Sequence, residues 1–353
     1  MNTQGSKKRI LRIVMIAIAI TCFIIFPPWI IVKAWIMPLP DTVQEEVNEA
    51  IGYGFDGILV YVDQANKEPA FYAAGWKNRE HQIPADPKAL FKIASISKLY
   101  IAVATTKLVN EKRLSLDKTL ADYLPELVGR IENADKITLR LMVQHRSGIP
   151  DFTHHPGFWV NPTKTIEASL DLVLDKPADF KPNKKYSYSN TNYLLIGKIL
   201  DKTLGYSHHQ YIKEKILIPM GLHNTYSLLS EVDLDKVVSG YYVGYEKDLK
   251  TSDFIVPGGS MIATAQDVGL FLRALNDGSL LNDEEQAIYS SIYVYEHTGL
   301  LPGYQSIARY DKDLDTIVIQ FVNTSNFDGY TWEISEVIYS RILKILRSKK
   351  NTQ

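Results

Sequence analysis

The order of elements along the chain predicts an α+β fold: one antiparallel sheet flanked by the terminal helices, with a mostly helical lobe inserted. Three observations carry that prediction. Strand-like runs lie near the start of the chain, at 57–62 and 70–76, and return only after about residue 290. Between them, residues from about 112 to 235 read mostly as helix, as at 166–174 and 211–218. The last segment, 332–346, sets Ile334, Val337, Ile338, Ile342 and Ile345 on a helical spacing and ends in Arg347, Lys349 and Lys350. The two ends of the chain then build the sheet, and the junction of sheet and lobe is a natural place for a cleft.

Taken in order, residues 1–37 read as a signal anchor or signal peptide and 38–353 as one domain. Lys7, Lys8, Arg9 and Arg12 precede an uncharged apolar stretch from Ile13 to Val32. Twenty such residues can span a bilayer with the basic flank on the cytoplasmic side. Pro27 and Pro28 interrupt the stretch, and Val32-Lys33-Ala34 offers a small-residue cleavage site. Either outcome implies a membrane-anchored or secreted protein whose domain lies outside the cytoplasm. Trp29 and Trp35 read as interface anchors. A short helix is expected at 42–51, ahead of the first two strands. Leu90-Phe91-Lys92-Ile93-Ala94 forms a strand-like approach to a helix running from about Leu99 to Val109. A second apolar helix is expected from Tyr193 to Leu204. Ser291 to Glu296 reads as a strand, followed by strands at 306–310 and 316–322.

Composition narrows the function classes. The formal net charge of −1 leaves no basic face for a nucleic-acid backbone. The apolar and charged fractions, 46% and 22%, are those of an ordinary globular enzyme. The one cysteine, Cys22, lies in the apolar N-terminal stretch, so the domain has no internal disulfide and no thiolate metal site. Ala19-Ile20-Thr21 before Cys22 is a poor lipid-attachment signal. His154-His155 and His208-His209 lack ligand spacing or a companion carboxylate cluster, so no metal and no cofactor is expected.

Three short motifs carry the chemistry. In Ser95-Ile96-Ser97-Lys98, the serine opens a helix-like run, and residues three apart share a helix face, which sets Lys98 beside Ser95. The helix N-terminus favours negative charge developing there. Ser115-Leu116-Asp117-Lys118 repeats the spacing, but it follows Glu111-Lys112-Arg113 and reads as an exposed cap or turn. Tyr188-Ser189-Asn190 lies in a polar, aromatic turn before an apolar helix. A lysine ammonium nearby lowers a tyrosine pKa, so Tyr188 is expected to serve as an acid/base group. Asn190 has a donor and an acceptor, which suits gripping a substrate amide and Lys98. In His297-Thr298-Gly299, the glycine would let a substrate lie close along the strand. Tyr186 is expected at the cleft or in packing around it.

The ordered set resembles the penicillin-recognising serine hydrolase superfamily. It is closest to the branch of class C β-lactamases, soluble DD-carboxypeptidases and related esterases and D-amino-acid peptidases. Members carry Ser-x-x-Lys, Tyr-x-Asn, and Lys-Thr-Gly or His-Thr-Gly. Leu141-Met142-Val143-Gln144-His145-Arg146-Ser147-Gly148-Ile149-Pro150 resembles the family's His-Thr-Ser-Gly-Ile-Pro segment, with Arg146 for the threonine. Gly258-Gly259-Ser260, leading to Thr264 and Asp267, resembles its glycine-rich segment with Ser260 in place of a glycine. His297 to Tyr304 resembles its His-Thr-Gly-x-x-Pro-Gly-Tyr. The likeness runs from about residue 41 to the C-terminus.

The resemblance implies a β-lactamase/DD-peptidase-like fold and a covalent serine mechanism without a cofactor. Ser95 would be acylated, Lys98 would be a proton acceptor and Tyr188 the acid/base toward the leaving group. Asn190 would orient the substrate amide, and His297, Thr298 and Gly299 would meet the substrate or its carboxylate. The N–H groups of Ser95 and Leu300 would form the oxyanion hole. The expected substrates are cell-wall peptides ending in D-residues, β-lactams or esters, with a slow penicillin-binding sensor as the reading from another class. Two departures count against an efficient β-lactamase. Leu300 stands where many relatives have a hydroxyl, and only about thirty residues separate Asp267 from His297, which trims the cleft wall.

Overall fold

The computed structural model describes residues 3–350. Six strands form one antiparallel sheet in the order Ile83–Pro84, Ala70–Asn78, Gly57–Gln64, Thr316–Val322, Tyr304–Asp311, His297–Leu301. The chain's two ends therefore meet at the sheet's centre, where Leu59 pairs with Phe321 and Tyr61 with Ile319. The expected α+β class is observed.

The central strands are buried on both faces, which explains an unbroken run such as Thr-Ile-Val-Ile-Gln-Phe-Val at Thr316–Val322. Period-two geometry still sorts the side chains. Ile58, Val60, Val318 and Val322 face the helices Val43–Ala50 and Thr331–Lys350, where Val47, Ile338 and Ile342 complete that core. Leu59, Tyr61, Ile319 and Phe321 face the opposite way, into the larger core around the helix Ser97–Asn110. Each such side chain stabilises the fold by roughly 1.5–3 kcal/mol.

The Val43–Ala50 helix begins where its sequence dictates. Thr42 accepts from the Glu45 N–H, and Glu45 reciprocates on the Thr42 N–H. Its Glu46 pairs with Arg341 at 2.7 Å in the interior, and Arg341 also donates to the carbonyls of Met37 and Pro38. One arginine thus fastens the start of the domain to the C-terminal helix.

The lobe between residues 112 and 235 contains one long helix, Asn190–Leu204, and several short ones, including Leu139–Val143, Ile166–Asp171 and His208–Ile212. Long loops join them, so the lobe is less regular than its pattern implies. The expected helix at 211–218 is the end of His208–Ile212 continued by a π turn, Lys213–Leu217.

Two other expectations are corrected. Ser291 to Glu296 is not a strand. The helix Asp283–Ile292 runs into it, started by a capping box between Asn282 and Glu285, and the Tyr289 hydroxyl donates to Val294 O at 2.6 Å to turn the chain. A strong cap and an acidic first turn outweigh a few β-prone residues. At the N-terminus, the apolar stretch is two helices, Thr3–Ile25 and Trp29–Ile36, because Pro27 and Pro28 lack the N–H groups a continuous helix needs. Among the described residues, no helix is long and apolar enough to cross a membrane. The side chains of Lys7 and Lys8 lie outside the described residues. Ala34, at the expected cleavage site, is buried against the domain and its carbonyl accepts from Arg341.

Candidate active site

Ser95 sits in a tight turn, Ala94–Ile96, immediately before the helix Ser97–Asn110. Ala94 adopts a φ of +50°, an unfavourable conformation for a residue with a side chain. The surroundings hold it there. The Ser97 hydroxyl donates to Ala94 O at 2.6 Å, and the Ser306 hydroxyl donates to Ile93 O at 2.9 Å. Neither serine stands out in the sequence as part of the site.

The structure brings the three motifs to one cleft. Lys98 Nζ lies 3.0 Å from Ser95 Oγ, 2.9 Å from Asn190 Oδ1 and 2.7 Å from Gly258 O. The Tyr188 hydroxyl donates to Ser95 Oγ at 2.7 Å. His297, Thr298, Gly299 and Leu300 line the opposite wall of the same cavity, about 350 Å³ in volume. The strand that carries them is the sheet's last and pairs on one side only, with Tyr304–Asp311.

Burial sets the proton inventory. Lys98 is enclosed, and loss of water drives its pKa down to about 7, with the nearby Asp151 charge opposing the fall. A neutral amine fits its contacts: it donates to Asn190 Oδ1 and Gly258 O and accepts the Ser95 hydroxyl proton, while Tyr188 donates to the same serine oxygen. Tyr188 departs from expectation. Burial raises its pKa well above the ordinary tyrosine range, a rise that the hydrogen bond to Ser95 only partly offsets. The phenol therefore stays protonated and serves as a donor, with its ring face-on to Lys98 Nζ at 5.0 Å. His297 is lowered to about 4 by burial, with the Lys98 charge adding to the fall. It is neutral near pH 7 and supplies no positive charge for a carboxylate.

Asp151, one residue beyond the Gly-Ile-Pro segment, is the main site residue that sequence reasoning missed. Its Oδ2 accepts from the N–H and the side-chain amide of Asn190, each at 3.0 Å, and its Oδ1 accepts from the Thr153 N–H and hydroxyl. This turns Asn190 Oδ1 toward Lys98 and seats a negative charge at the start of the helix Asn190–Leu204. A lone aspartate after a proline reads as turn chemistry, so no sequence signal separated it.

Gly299 has a packing role besides lining the cleft. A Cβ there would lie 2.4 Å from Ser306 Oγ, 2.5 Å from Ile93 O and 2.8 Å from Ala94 Cβ. The missing side chain lets the strand press against the Ala94–Ile96 turn that holds Ser95. Gly299→Ala is expected to cost about 1–3 kcal/mol through overpacking. A thermal melt checks this, and an unchanged midpoint would contradict the packing role.

The remaining residues sort by geometry. His145 stacks behind Tyr188, with ring centroids 4.4 Å apart, and Tyr186 is largely exposed beyond it. At the second Ser-x-x-Lys, the Ser115 backbone exchanges hydrogen bonds with the Tyr123 hydroxyl, and Ser115 lies in a loop turn. His208 pairs with Asp201 through Nδ1 at 2.7 Å, away from the cleft.

The family model described as Beta-lactamase matches residues 41–291. Penicillin-binding protein 4 of Amycolatopsis lactamdurans is 28% identical over 231 residues, covering 63% of this chain. The chain spans 59% of that relative's length. D-amino acid amidase from Ochrobactrum anthropi superposes with a TM-score of 0.78 at 21% identity, over 87% of this chain and 98% of that one. A penicillin-binding protein from Bacillus halodurans gives 0.71 at 21% identity, over 86% and 98%. With the family model matched across most of the domain and the same fold in both solved structures, the chain belongs to the beta-lactamase family.

Proposed function

We propose that this protein is a serine hydrolase acting through an acyl-Ser95 intermediate, with DD-carboxypeptidase-like or β-lactamase-related amide hydrolysis as its reaction. The observation that carries this reading is the contact of a buried, deprotonatable Lys98 with Ser95 Oγ at 3.0 Å. Neutral Lys98 takes the Ser95 proton as Oγ attacks the carbonyl carbon. The N–H groups of Ser95 and Leu300, both at the cleft, stabilise the oxyanion. As the carbon–nitrogen bond breaks, Tyr188 donates its proton to the departing nitrogen, and the Lys98 ammonium over its ring stabilises the phenolate. Water then attacks the acyl carbon and gives a proton to the Tyr188 phenolate, and the carbon–Oγ bond breaks as Lys98 returns its proton to Ser95 Oγ, which releases the acid and restores the site. The similarity to a penicillin-binding protein and to the fold of a D-amino acid amidase supports an amide substrate with a D-residue.

Carboxylesterase action is the second reading. It is favoured by Leu300, an apolar side chain on the cleft strand, and by a neutral His297, which together leave the carboxylate end of a peptide poorly matched. We also propose an extracytoplasmic location, supported by Arg9 and Arg12 ahead of exposed apolar residues such as Ile13, Met15 and Phe23. Fusing a periplasm-dependent reporter to the C-terminus would test it, and an inactive reporter would refute it.

The function is tested with a fluorescent penicillin, a D-Ala-D-Ala peptide and 4-nitrophenyl acetate, following adducts by intact mass. The expected result is an adduct on Ser95, absent from Ser95→Ala, with release of D-alanine. Ester turnover without D-alanine release selects the esterase. A lasting penicillin adduct without turnover selects a sensor. Unchanged turnover in Ser95→Ala would overturn the mechanism.

A further inference from the structure

A cavity of about 300 Å³ lies where the helices Asn190–Leu204 and His208–Ile212 meet the chain at Pro257. Its volume is at the lower end of the small-molecule range. None of the residues lining it lines the cleft around Ser95.

His208 is the wall that needs explaining. Its side chain is 3% exposed, yet its Nε2 has no hydrogen-bond partner among the described residues. The other nitrogen, Nδ1, lies 2.7 Å from Asp201 Oδ1, which also accepts the His208 N–H. Burial raises the Asp201 pKa, but its bonds from His208 more than offset this, so the carboxyl is held below its usual range. An ionised carboxylate only accepts, so Nδ1 carries the proton and Nε2 of the neutral ring is an acceptor without a donor. A buried acceptor left unpaired is costly to keep, which points to a donor supplied by a ligand.

The ring is aimed into the cavity. A Cβ on Gly197 would lie 3.3 Å from His208 Cε1 and 2.5 Å from Pro257 Cγ. The ring edge bearing Nε2 therefore runs from Asp201 past Gly197 toward Pro257, and all four residues are cavity walls.

The remaining walls define the ligand. Asp201 and Asp253 contribute two carboxylates, while Lys198 is tied to Glu167 at 3.3 Å. Leu228, Ile255 and Pro257 add apolar surface. Among the described residues, no group of His, Cys, Asp and Glu is arranged to hold a metal ion, so the donor is organic. The balance of charge favours a cation and the apolar walls favour an alkyl chain.

We propose that this cavity is a second binding site, for a small alkylammonium group whose N–H groups donate to His208 Nε2 and to the Asp253 carboxylate. The proposal is independent of the acyl-Ser95 reading.

The full-length protein is titrated at pH 7.5 and physiological ionic strength with butylammonium, butanol and butyrate, using saturation-transfer NMR. Butylammonium is expected to bind at least about tenfold more tightly than either, the scale of one hydrogen bond to a charged group. Histidine-edited 1H–15N spectra should show the His208 and His209 signals moving, with those of His145 and His297 unchanged. His208→Phe keeps a flat ring against Gly197 and removes the acceptor. Asp253→Asn changes an exposed position and removes only a charge. Each should weaken butylammonium binding at least about fivefold, and the second variant decides the matter if the first fails to fold. Equal affinity for the three probes, unchanged binding in Asp253→Asn, or shifts at His145 and His297 in place of His208 would overturn the site.

Discussion

Lys98→Met should lower the rate of Ser95 acylation by about a thousandfold, within the range general-base catalysis contributes. Methionine nearly matches the length of the lysine stem, so the cavity around it stays filled. What disappears is the amine between Ser95 Oγ, Asn190 Oδ1 and Gly258 O. Tyr188 cannot take over, because burial keeps its proton on. The wild-type pH profile follows with a definite sign. The base works only when neutral, so kcat/KM should rise with pH through about 7, the value to which burial has brought Lys98. Stopped-flow acylation with a chromogenic ester checks both. A variant within tenfold of wild type, or a profile flat through neutrality, would place the base elsewhere.

Asp151→Asn should move that rising limb to lower pH. The Asp151 carboxylate favours the Lys98 ammonium, so removing its charge lowers the lysine pKa further. The same change damages the local network. Asp151 is buried and accepts four hydrogen bonds, two from Asn190 and two from Thr153. An amide in its place turns a donor toward other donors, which should cost roughly 2–3 kcal/mol, the scale of buried hydrogen bonds to a charged group. A pH–rate profile and a urea titration measure the two effects. A limb that stays put or moves upward would show that Asp151 does not tune Lys98. A specificity change without a pH shift would make it merely a clamp on Asn190.

The parts of the fold legible in the sequence are those with short-range signals. The strands at 57–62, 306–310 and 316–322 and the C-terminal helix show their own hydrophobic periods, and the structure places them at those positions. Ser291 to Glu296 misled because its β-prone residues fall within reach of a well-capped helix. The lobe misled because its short helices are held by long-range contacts: Thr191, for example, accepts from Phe152 N and donates to Pro150 O. Local periodicity carries little information about such loops.

The sequence by itself determined which residues are available for chemistry: a serine and a lysine three apart, a tyrosine and an asparagine two apart, and a glycine behind a histidine and a threonine. Helix spacing alone puts Lys98 on the side of Ser95. Only the tertiary structure decided the state and duty of each. Lys98 loses its charge readily because segments 92 and 160 residues away enclose it, and burial keeps Tyr188 and His297 neutral. Gly299 also takes on a packing role because Ile93 and Ser306 occupy the space its side chain would take. Asp151 enters the site only because the lobe folds it under Asn190. Spacing along a chain fixes neighbours within a turn of helix, whereas desolvation and packing depend on what the rest of the chain brings near.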